Sequence, residues 1–336
     1  MARVDLTVMG GGIFGLSIAW EAARRGARVR VIEASRIGAG SSGGLVGALS
    51  PHVPEQWNQK KAFQFESLIM AEGWWRGVEA ASGLSSGYAR TGRLQGLADT
   101  AAVVLARSRA VGADTLWRGE AEWRVVPCSG SVWEPVSASG WMVQDTLSGR
   151  VQPRAALAAL AKAIRVFGGE VLEHEAVAEG AVVWATGVAG LQALGAGSGV
   201  KGQALAVRFE SRDLPQVFVD GLHIVPHADG TVAIGSTSEN VWQDPVGVDD
   251  LGEALLGRAI AALPVLNGAE VVERWAGVRP RARSRAPVLG AWPGREGHFV
   301  ANGGFKIGFG MAPKVAEVMV DLVLNGRDAV PEDFRI

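Results

Sequence analysis

Residues 5–35, DLTVMGGGIFGLSIAWEAARRGARVRVIEAS, carry the strongest structural signal in the chain. A short apolar run enters the pattern G-x-G-x-x-G, which is typical of the turn between a strand and a helix in dinucleotide-binding units. The helix is predicted to continue through Ala23, because a glycine at position 26 ends the apolar pattern. Alternating apolar residues in ARVRVIE then predict a second strand, which closes on Glu33.

The three glycines of this pattern have separate physical tasks. Gly10 permits the tight turn, Gly12 lets a pyrophosphate approach the backbone, and Gly15 lets the helix pack closely on the strand. Ile13 and Phe14 begin the helix, whose N-terminus presents unpaired N–H groups and a partial positive charge to phosphates. Strand, turn, helix and second strand in this order predict a nucleotide site.

Glu33 and Ala34 end the second predicted strand, where a carboxylate accepts hydrogen bonds from ribose hydroxyls. An acidic residue here argues against a 2′-phosphate, but it does not distinguish NAD from FAD. Three later segments favour FAD: a Gly/Ser-rich loop directly after this strand, a buried strand ending in Ala-Thr-Gly, and a second glycine-rich loop before a C-terminal helix. The helix is expected to have Pro313 in its first turn and to end at Gly326.

These segments supply the remaining predicted cofactor contacts. A second glycine loop, far along the chain from the first, indicates that another part of the same long cofactor is bound there. The expected contacts are Ser41, Ser42, Gly43, Gly44, Leu45, Ala185, Thr186, Gly187, Gly303, Gly304, Phe305, Lys306, Ile307 and Gly308.

Composition narrows the function classes. The 336 residues carry a formal net charge of -1, which gives no electrostatic case for nucleic acid as the main partner. The single cysteine, Cys128, excludes an intrachain disulfide, and the five histidines show no metal-binding spacing. The early apolar stretch lacks a basic n-region, and glycines interrupt the apolar residues 180–199, so we expect a cytoplasmic protein without a transmembrane segment.

The sequence resembles the D-amino acid oxidase superfamily of FAD-dependent oxidoreductases, in particular its glycine oxidase-like and sarcosine oxidase-like members. The resemblance covers nearly the whole chain and rests on the order of its motifs. Besides the N-terminal fingerprint, these are SSGGLVGALSPH, GRLQGLAD, VQPRAALAALAKA, VVWATG, HIVPHADGTVAIGSTSE, WAGVRPR and GGFKIGFGMAP.

The resemblance implies an α/β fold, in which a Rossmann-type FAD-binding domain is interleaved with an antiparallel-sheet α+β substrate domain. Local patterns agree, since residues 222–238 predict a hairpin that turns at Ala228-Asp229-Gly230. The predicted FAD-binding domain comprises residues 1–83, 146–203 and 271–336, and the predicted substrate domain comprises 84–145 and 204–270.

The resemblance also implies two substrate-binding cations. In glycine and D-amino acid oxidases the arginine of a GxRP segment binds the substrate carboxylate, and Arg279 in GVRPR matches it. A planar guanidinium suits this task because it bonds a carboxylate through two parallel N–H···O contacts. In sarcosine oxidase-like relatives the lysine of a GFK segment also meets the carboxylate, which assigns Lys306 to the substrate or the flavin.

Arg281, Arg283 and Arg285 follow Arg279 at every second position. Pro280 and Pro287 make a continuous ladder strand doubtful here, so the four arginines need not share one face. The three further arginines are interpreted as solvated charges, and the alternative is that one of them binds a second anionic group of the substrate.

Two histidines are further candidates for polar contacts near the flavin. His223 occupies the start of a strand where relatives often have an aromatic hydroxyl, and His52 follows the Gly/Ser loop; the alternative for each is a hydrogen-bonded structural histidine. No cysteine lies near the C-terminal flavin segments, so FAD is expected to be non-covalent.

These features predict FAD-dependent oxidation of a small amino acid or N-methyl amino acid. The resemblance implies hydride transfer from the α-carbon to flavin N5, an imine that hydrolyses, and oxygen or a quinone as electron acceptor. One alternative is a flavoenzyme of the same fold acting on a hydroxy acid or a larger aminomethyl substrate, including modified tRNA, which the near-neutral charge disfavours. Another is a flavin subunit active only in a hetero-oligomer. The oligomeric state and substrate stereochemistry stay open.

Overall fold

The computed structural model describes residues 4–336 and contains two large sheets with helices packed on them. In chain order the strands are β1 (Leu6–Met9), β2 (Val29–Ile32), β3 (Ala48–Leu49), β4 (Arg93–Gly96), β5 (Trp123–Pro127), β6 (Trp141–Asp145), β7 (Gly149–Arg150), β8 (Glu170–Leu172), β9 (Ala181–Trp184), β10 (Gly197–Arg208), β11 (Gln216–Val219), β12 (Leu222–Pro226), β13 (Thr231–Gly235), β14 (Val271–Ala282), β15 (Val288–Ala291) and β16 (His298–Asn302). The α-helices are α1 (Ile13–Arg24), α2 (Gln59–Ser82), α3 (Thr100–Leu116), α4 (Pro153–Val166), α5 (Gly187–Ala193), α6 (Asp250–Ala262) and α7 (Gly308–Asn325).

The first sheet has the order β15-β16-β9-β1-β2-β8. Its pairs are parallel except β15 with β16, as the strand–helix–strand pattern of the N-terminus predicts. Helix α1 packs on α7 and α4, and α2 also packs on both of these helices. One apolar core therefore joins the first helices of the chain to the last.

The second sheet has eight strands in the order β14-β10-β13-β12-β11-β4-β6-β5. It is antiparallel except where β11 runs parallel to β4. The predicted hairpin is present as β12 and β13. The α/β fold class predicted from the sequence is confirmed by these two sheets and the helices packed on them.

One predicted domain crossing falls inside a strand, and a second falls at the start of one. Strand β10 belongs to the second sheet from Gly197, and β14 belongs to it up to Ala282, whereas the sequence placed these crossings at 204 and 271. The two strands pair along nearly their whole lengths, which extends both beyond the expected boundaries. We therefore propose that the substrate domain includes 197–203 and 271–282.

As the sequence predicts, the four arginines do not share one continuous strand, because β14 ends at Ala282, before Arg283 and Arg285. Pro280, however, does not interrupt the strand. Strand β14 continues through Pro280, which stands opposite Gly199 of β10. Because β14 is an edge strand, it pairs on one side only and accommodates a residue without an N–H. Beyond its end Arg283 and Arg285 are exposed, as expected for solvated charges, and Arg281 is half-buried.

The C-terminal helix begins earlier than its sequence suggests. Helix α7 starts at Gly308, so Pro313 lies in its second turn rather than its first, and Gly326 ends it in the left-handed conformation. No helix within residues 4–336 is both long and apolar enough to cross a membrane.

The close packing of α1 on β1 requires a residue without a side chain at position 15, which can be tested. A methyl group there would overlap the carbonyl oxygen of Gly10, whereas one at Gly77, on the exposed side of α2, would meet no neighbour. We expect Gly15→Ala to lower the free energy of unfolding by about 1–3 kcal/mol through overpacking. Gly77→Ala should raise it by about 0.5–1 kcal/mol, because alanine loses less backbone entropy in a helix. Urea unfolding of the two variants measures both, and equal stabilities would contradict the close helix–strand approach.

Candidate active site

A cavity of about 1,170 Å³ extends from the glycine pattern to the inner strands of the second sheet. Most of the predicted cofactor residues line it. They are Gly10, Gly12, Ile13, Phe14, Glu33, Ala34, Ser41, Ser42, Gly44, Leu45, Ala185, Thr186, Gly187, Gly304, Phe305, Lys306 and Gly308. This main cavity is large enough for a dinucleotide, and it connects both glycine-rich loops as the sequence predicts.

Four predicted cofactor residues lie outside the wall of the main cavity. Gly15 is buried behind Gly10, and a side chain at Gly43 would overlap the carbonyl of Gly38. Gly303 lies against Ala282 and its neighbours. These three glycines do not line the cavity, but they let the segments that form its wall pack closely together. The fourth, Ile307, lines a smaller cavity described below.

The end of the main cavity at α1 fits a phosphodiester and a ribose. The helix begins after Gly12, which has no side chain to cap it, and the N–H of Ile13 donates to Oγ of Ser42 at 3.1 Å. The Glu33 carboxylate accepts from the backbone N–H groups of Gly11 at 2.8 Å and Ser35 at 3.0 Å. Each carboxylate oxygen accepts more than one hydrogen bond, so Glu33 retains capacity for ribose hydroxyls.

Arg279, on β14 of the second sheet, lies in the wall of the main cavity. It is 8% exposed, and its Nη1 donates to the carbonyl oxygen of Thr237 at 3.3 Å. Within residues 4–336 no carboxylate lies within ion-pair distance of it. Burial lowers the pKa of Arg279 to about 10, an effect that the charge of Glu239 partly opposes. The guanidinium therefore remains a cation at neutral pH.

The neighbouring strand makes room for this cation. The Arg279 guanidinium lies against Gly202 of β10, where any side chain would overlap it. On either side of Gly202, the buried residues Lys201 and Gln203 contact carboxylates: Lys201 Nζ lies 3.2 Å from Asp249, and Gln203 Nε2 donates to Glu239 at 3.0 Å. The strand thus holds the nearby acidic groups through Lys201 and Gln203 and leaves the Arg279 guanidinium to the cavity.

Lys306 lines both the main cavity and a second cavity of about 360 Å³, and its side chain is exposed to solvent. Although part of the side chain reaches solvent, the surrounding cavity walls partly desolvate the ammonium group, and this and the nearby charge of Arg279 lower the pKa of Lys306. The two cations on one wall favour an anionic ligand between them.

His223 also lines both cavities. Burial, together with the charges of Arg93 and Lys306, lowers the pKa of His223 to about 3, so the ring is neutral at physiological pH. Its Nδ1 lies 3.2 Å from Oε1 of Gln216, whose amide nitrogen donates to Gly149 O at 2.8 Å. This orientation of the amide assigns the proton to Nδ1 and leaves Nε2 as an acceptor.

His52 lies in the second cavity and does not line the main one. Its Nδ1 and its backbone N–H both contact Oε1 of Gln64, and Gln64 donates to the carbonyl of Ser50 at 3.1 Å. Burial lowers the pKa of His52. The structure thus separates the four predicted substrate residues: Arg279 is in the main cavity, His52 is in the second, and the other two lie between.

Several residues of these walls have no role predicted from the sequence. Phe218 and Trp275 supply apolar surface to the main cavity, and Arg93 lines the second. Arg93 lies in the quoted segment GRLQGLAD, but no spacing rule links it to Phe218 or to its ion-pair partner Asp145. Only the pairing of β4 with β6 and β11 brings them together.

Comparison with known proteins agrees with this geometry. The family model for FAD dependent oxidoreductases of the DAO type matches residues 5–322. The chain belongs to this family. It therefore binds FAD and is an oxidoreductase, as the sequence predicts.

Glycine oxidases are among the relatives of this DAO-family chain. The Geobacillus kaustophilus enzyme is 29% identical over 96% of this chain and 93% of its own length. The Pseudomonas putida enzyme is 35% identical, but over only 39% of this chain and 36% of its own. The crystal structure of the Geobacillus kaustophilus enzyme superimposes with a TM-score of 0.85 at 25% identity, covering 100% of this chain and 98% of the other.

The lowered pKa of His223 predicts a pH-dependent contribution to stability. Unfolded histidine binds a proton near pH 6.5, whereas folded His223 does so only near pH 3, so the unfolded state binds more protons between these values. The free energy of unfolding should therefore decrease as the pH is lowered from 6.5 towards 3. This residue alone should account for up to about 1.4 kcal/mol per pH unit.

Urea unfolding of the wild type and His223→Gln between pH 7.5 and 5 measures this contribution. The wild type should lose stability more steeply than the variant below pH 6.5, with the same change at the exposed His174 as a control. If stability depends on pH equally in the wild type and in His223→Gln, then folded His223 takes up its proton as readily as unfolded histidine, and the prediction is wrong.

Proposed function

We propose that this DAO-family enzyme oxidises a small amino acid or N-methyl amino acid of the glycine, sarcosine or D-amino acid type. One observation carries the proposal: Arg279 is buried in the cavity wall without a carboxylate partner among residues 4–336. The similarity to glycine oxidases supports the same substrate class.

The proposed binding mode follows from the charges of the site. The substrate carboxylate binds the Arg279 guanidinium, which has further N–H donors beyond the one given to Thr237. Arg279 and Lys306 repel an ammonium group, so they lower the pKa of the substrate amine and favour its neutral form. In this binding mode His223 Nε2 accepts an N–H from that amine.

These contacts orient the α-carbon for oxidation. FAD supplies a two-electron acceptor, at N5 of the flavin ring, for the hydride of the α-carbon. The residues of this chain fix the carboxylate and the amine of the substrate. Phe218 and Trp275 line the same cavity with apolar surface, which excludes water from it. The product imine then hydrolyses in water. A non-covalent flavin is also proposed, since Cys128 lines neither cavity and packs beside the core of the second sheet.

The anaerobic visible spectrum of the purified protein tests the substrate class. Addition of glycine, sarcosine, proline or a D-amino acid should bleach the flavin absorbance in at least one case. Bleaching only by a hydroxy acid would replace the proposal with the first alternative. Bleaching by no compound, together with a co-purifying second chain, would favour the hetero-oligomer. Denaturation followed by filtration should release the colour if the FAD is non-covalent.

Arg279→Ala tests the role of the arginine. The variant should retain FAD but lose about 2–5 kcal/mol of substrate binding, as is typical when one partner of a buried charge pair is removed. Arg283→Ala is the matched control, because Arg283 is exposed beyond the end of β14 and lines neither cavity. Substrate titration of the flavin spectrum measures both, and an unchanged affinity of Arg279→Ala would refute the assignment.

A further inference from the structure

The second cavity shares a wall with the main cavity, formed by Ala48, Phe218, His223 and Lys306. Its lining contains three cationic residues, Arg93, Arg109 and Lys306, and, within the described part of the chain, no aspartate or glutamate. A chamber of this composition favours an anionic group. A small monocarboxylic amino acid, whose carboxylate binds in the main cavity, has no second anionic group to place there.

Arg93 is the buried cation of this chamber. It is 5% exposed, and its Nε lies 2.8 Å from Oδ2 of Asp145. Its Nη2 has no hydrogen-bond partner among residues 4–336. The guanidinium also lies 5.8 Å from the ring of Trp123 and 5.7 Å from that of Phe218, which hold it in place. Buried unsatisfied donors are rare in native proteins, so this one calls for an acceptor from outside the chain.

The other two cations differ in how far they are neutralised. Arg109 forms a two-point contact with Glu55, at 2.9 Å and 2.6 Å. Lys306 forms no ion pair within residues 4–336, and it faces both cavities. The chamber therefore carries an excess positive charge at the wall it shares with the main cavity. The lowered pKa of His223 agrees, since the charges of Arg93 and Lys306 add to the effect of its burial.

We propose that the second cavity binds a second carboxylate of the substrate, so that the preferred substrate is a dicarboxylic amino acid. One carboxylate binds Arg279, and the other reaches past Lys306 to Arg93. That the second anion belongs to the substrate rests on the proposed function. The second carboxylate extends either from the amine nitrogen or from the α-carbon side chain. The positive charge of the chamber attracts it in both cases.

Gln95 offers a direct test that leaves the buried Arg93–Asp145 pair intact. It lies two residues after Arg93 on β4, so both side chains leave the strand on the same face, and both line the second cavity. Gln95→Glu adds a negative charge to the chamber, while Gln95→Met keeps the length without the charge. Arg124→Gln, on the exposed part of β5 and outside both cavities, controls for a general change of charge.

The first measurement is turnover. For the wild type, kcat/KM for N-(carboxymethyl)glycine, N-(2-carboxyethyl)glycine, D-aspartate or D-glutamate should exceed that for sarcosine by about tenfold or more. Gln95→Glu should reduce this ratio about tenfold, and Gln95→Met and Arg124→Gln should preserve it. The best compound of the series identifies whether the second carboxylate extends from nitrogen or carbon. A ratio near one in the wild type, or equal ratios in the two Gln95 variants, would overturn the proposal.

The second measurement is binding without turnover. Glutarate should bind the holoenzyme more tightly than butyrate by calorimetry, and Gln95→Glu should remove the difference. If glutarate binds as expected but no amino acid bleaches the flavin, the anion site stands and the proposed function fails. If sarcosine bleaches the flavin and glutarate has no advantage over butyrate, the proposed function stands and the second site fails.

Discussion

Burial of the Arg279 guanidinium without a carboxylate partner is the constraint on which the site depends. Removing an unpaired cation from water is costly, and the pairing of β10 with β14 opposes that cost by holding the strand in place. Gly202 then provides the space that the guanidinium occupies. Because the nearby acidic groups contact Lys201 and Gln203, the positive charge stays available to a ligand. The fold thus keeps a buried charge that is uncompensated among the described residues, and the proposed substrate carboxylate would neutralise it.

The site forms where two sheets with different tasks meet. The parallel sheet ends in glycine-rich loops whose backbone suits phosphates and ribose, and the antiparallel sheet directs long polar side chains across the gap. Neither sheet alone supplies both the cofactor surface and the buried cation proposed to bind a carboxylate. This division explains why the cofactor class is evident from local motifs, whereas the substrate depends on side chains drawn from strands that are distant in sequence.

The sequence predicted what local rules control. The fingerprint around Gly10, the hairpin at residues 228–230 and the match of Arg279 all depend on neighbours along the chain. Pro280 misled the prediction, because no local pattern shows that its strand lies at a sheet edge. Arg93 had no predicted role for a similar reason: its partner Asp145 and the ring of Phe218 come from other strands. Nor did the sequence show that His52 and Arg279 line different cavities.

The packing of α7 on α1 and α2 has a consequence for how the protein acquires its cofactor. The N-terminal fingerprint is synthesised long before Arg279, the loop before α7 and the helix itself. Contacts between such distant segments form slowly, because a long loop must close before they contribute free energy. A nascent chain therefore exposes an incomplete nucleotide site until α7 has been made and has packed on α1 and α2.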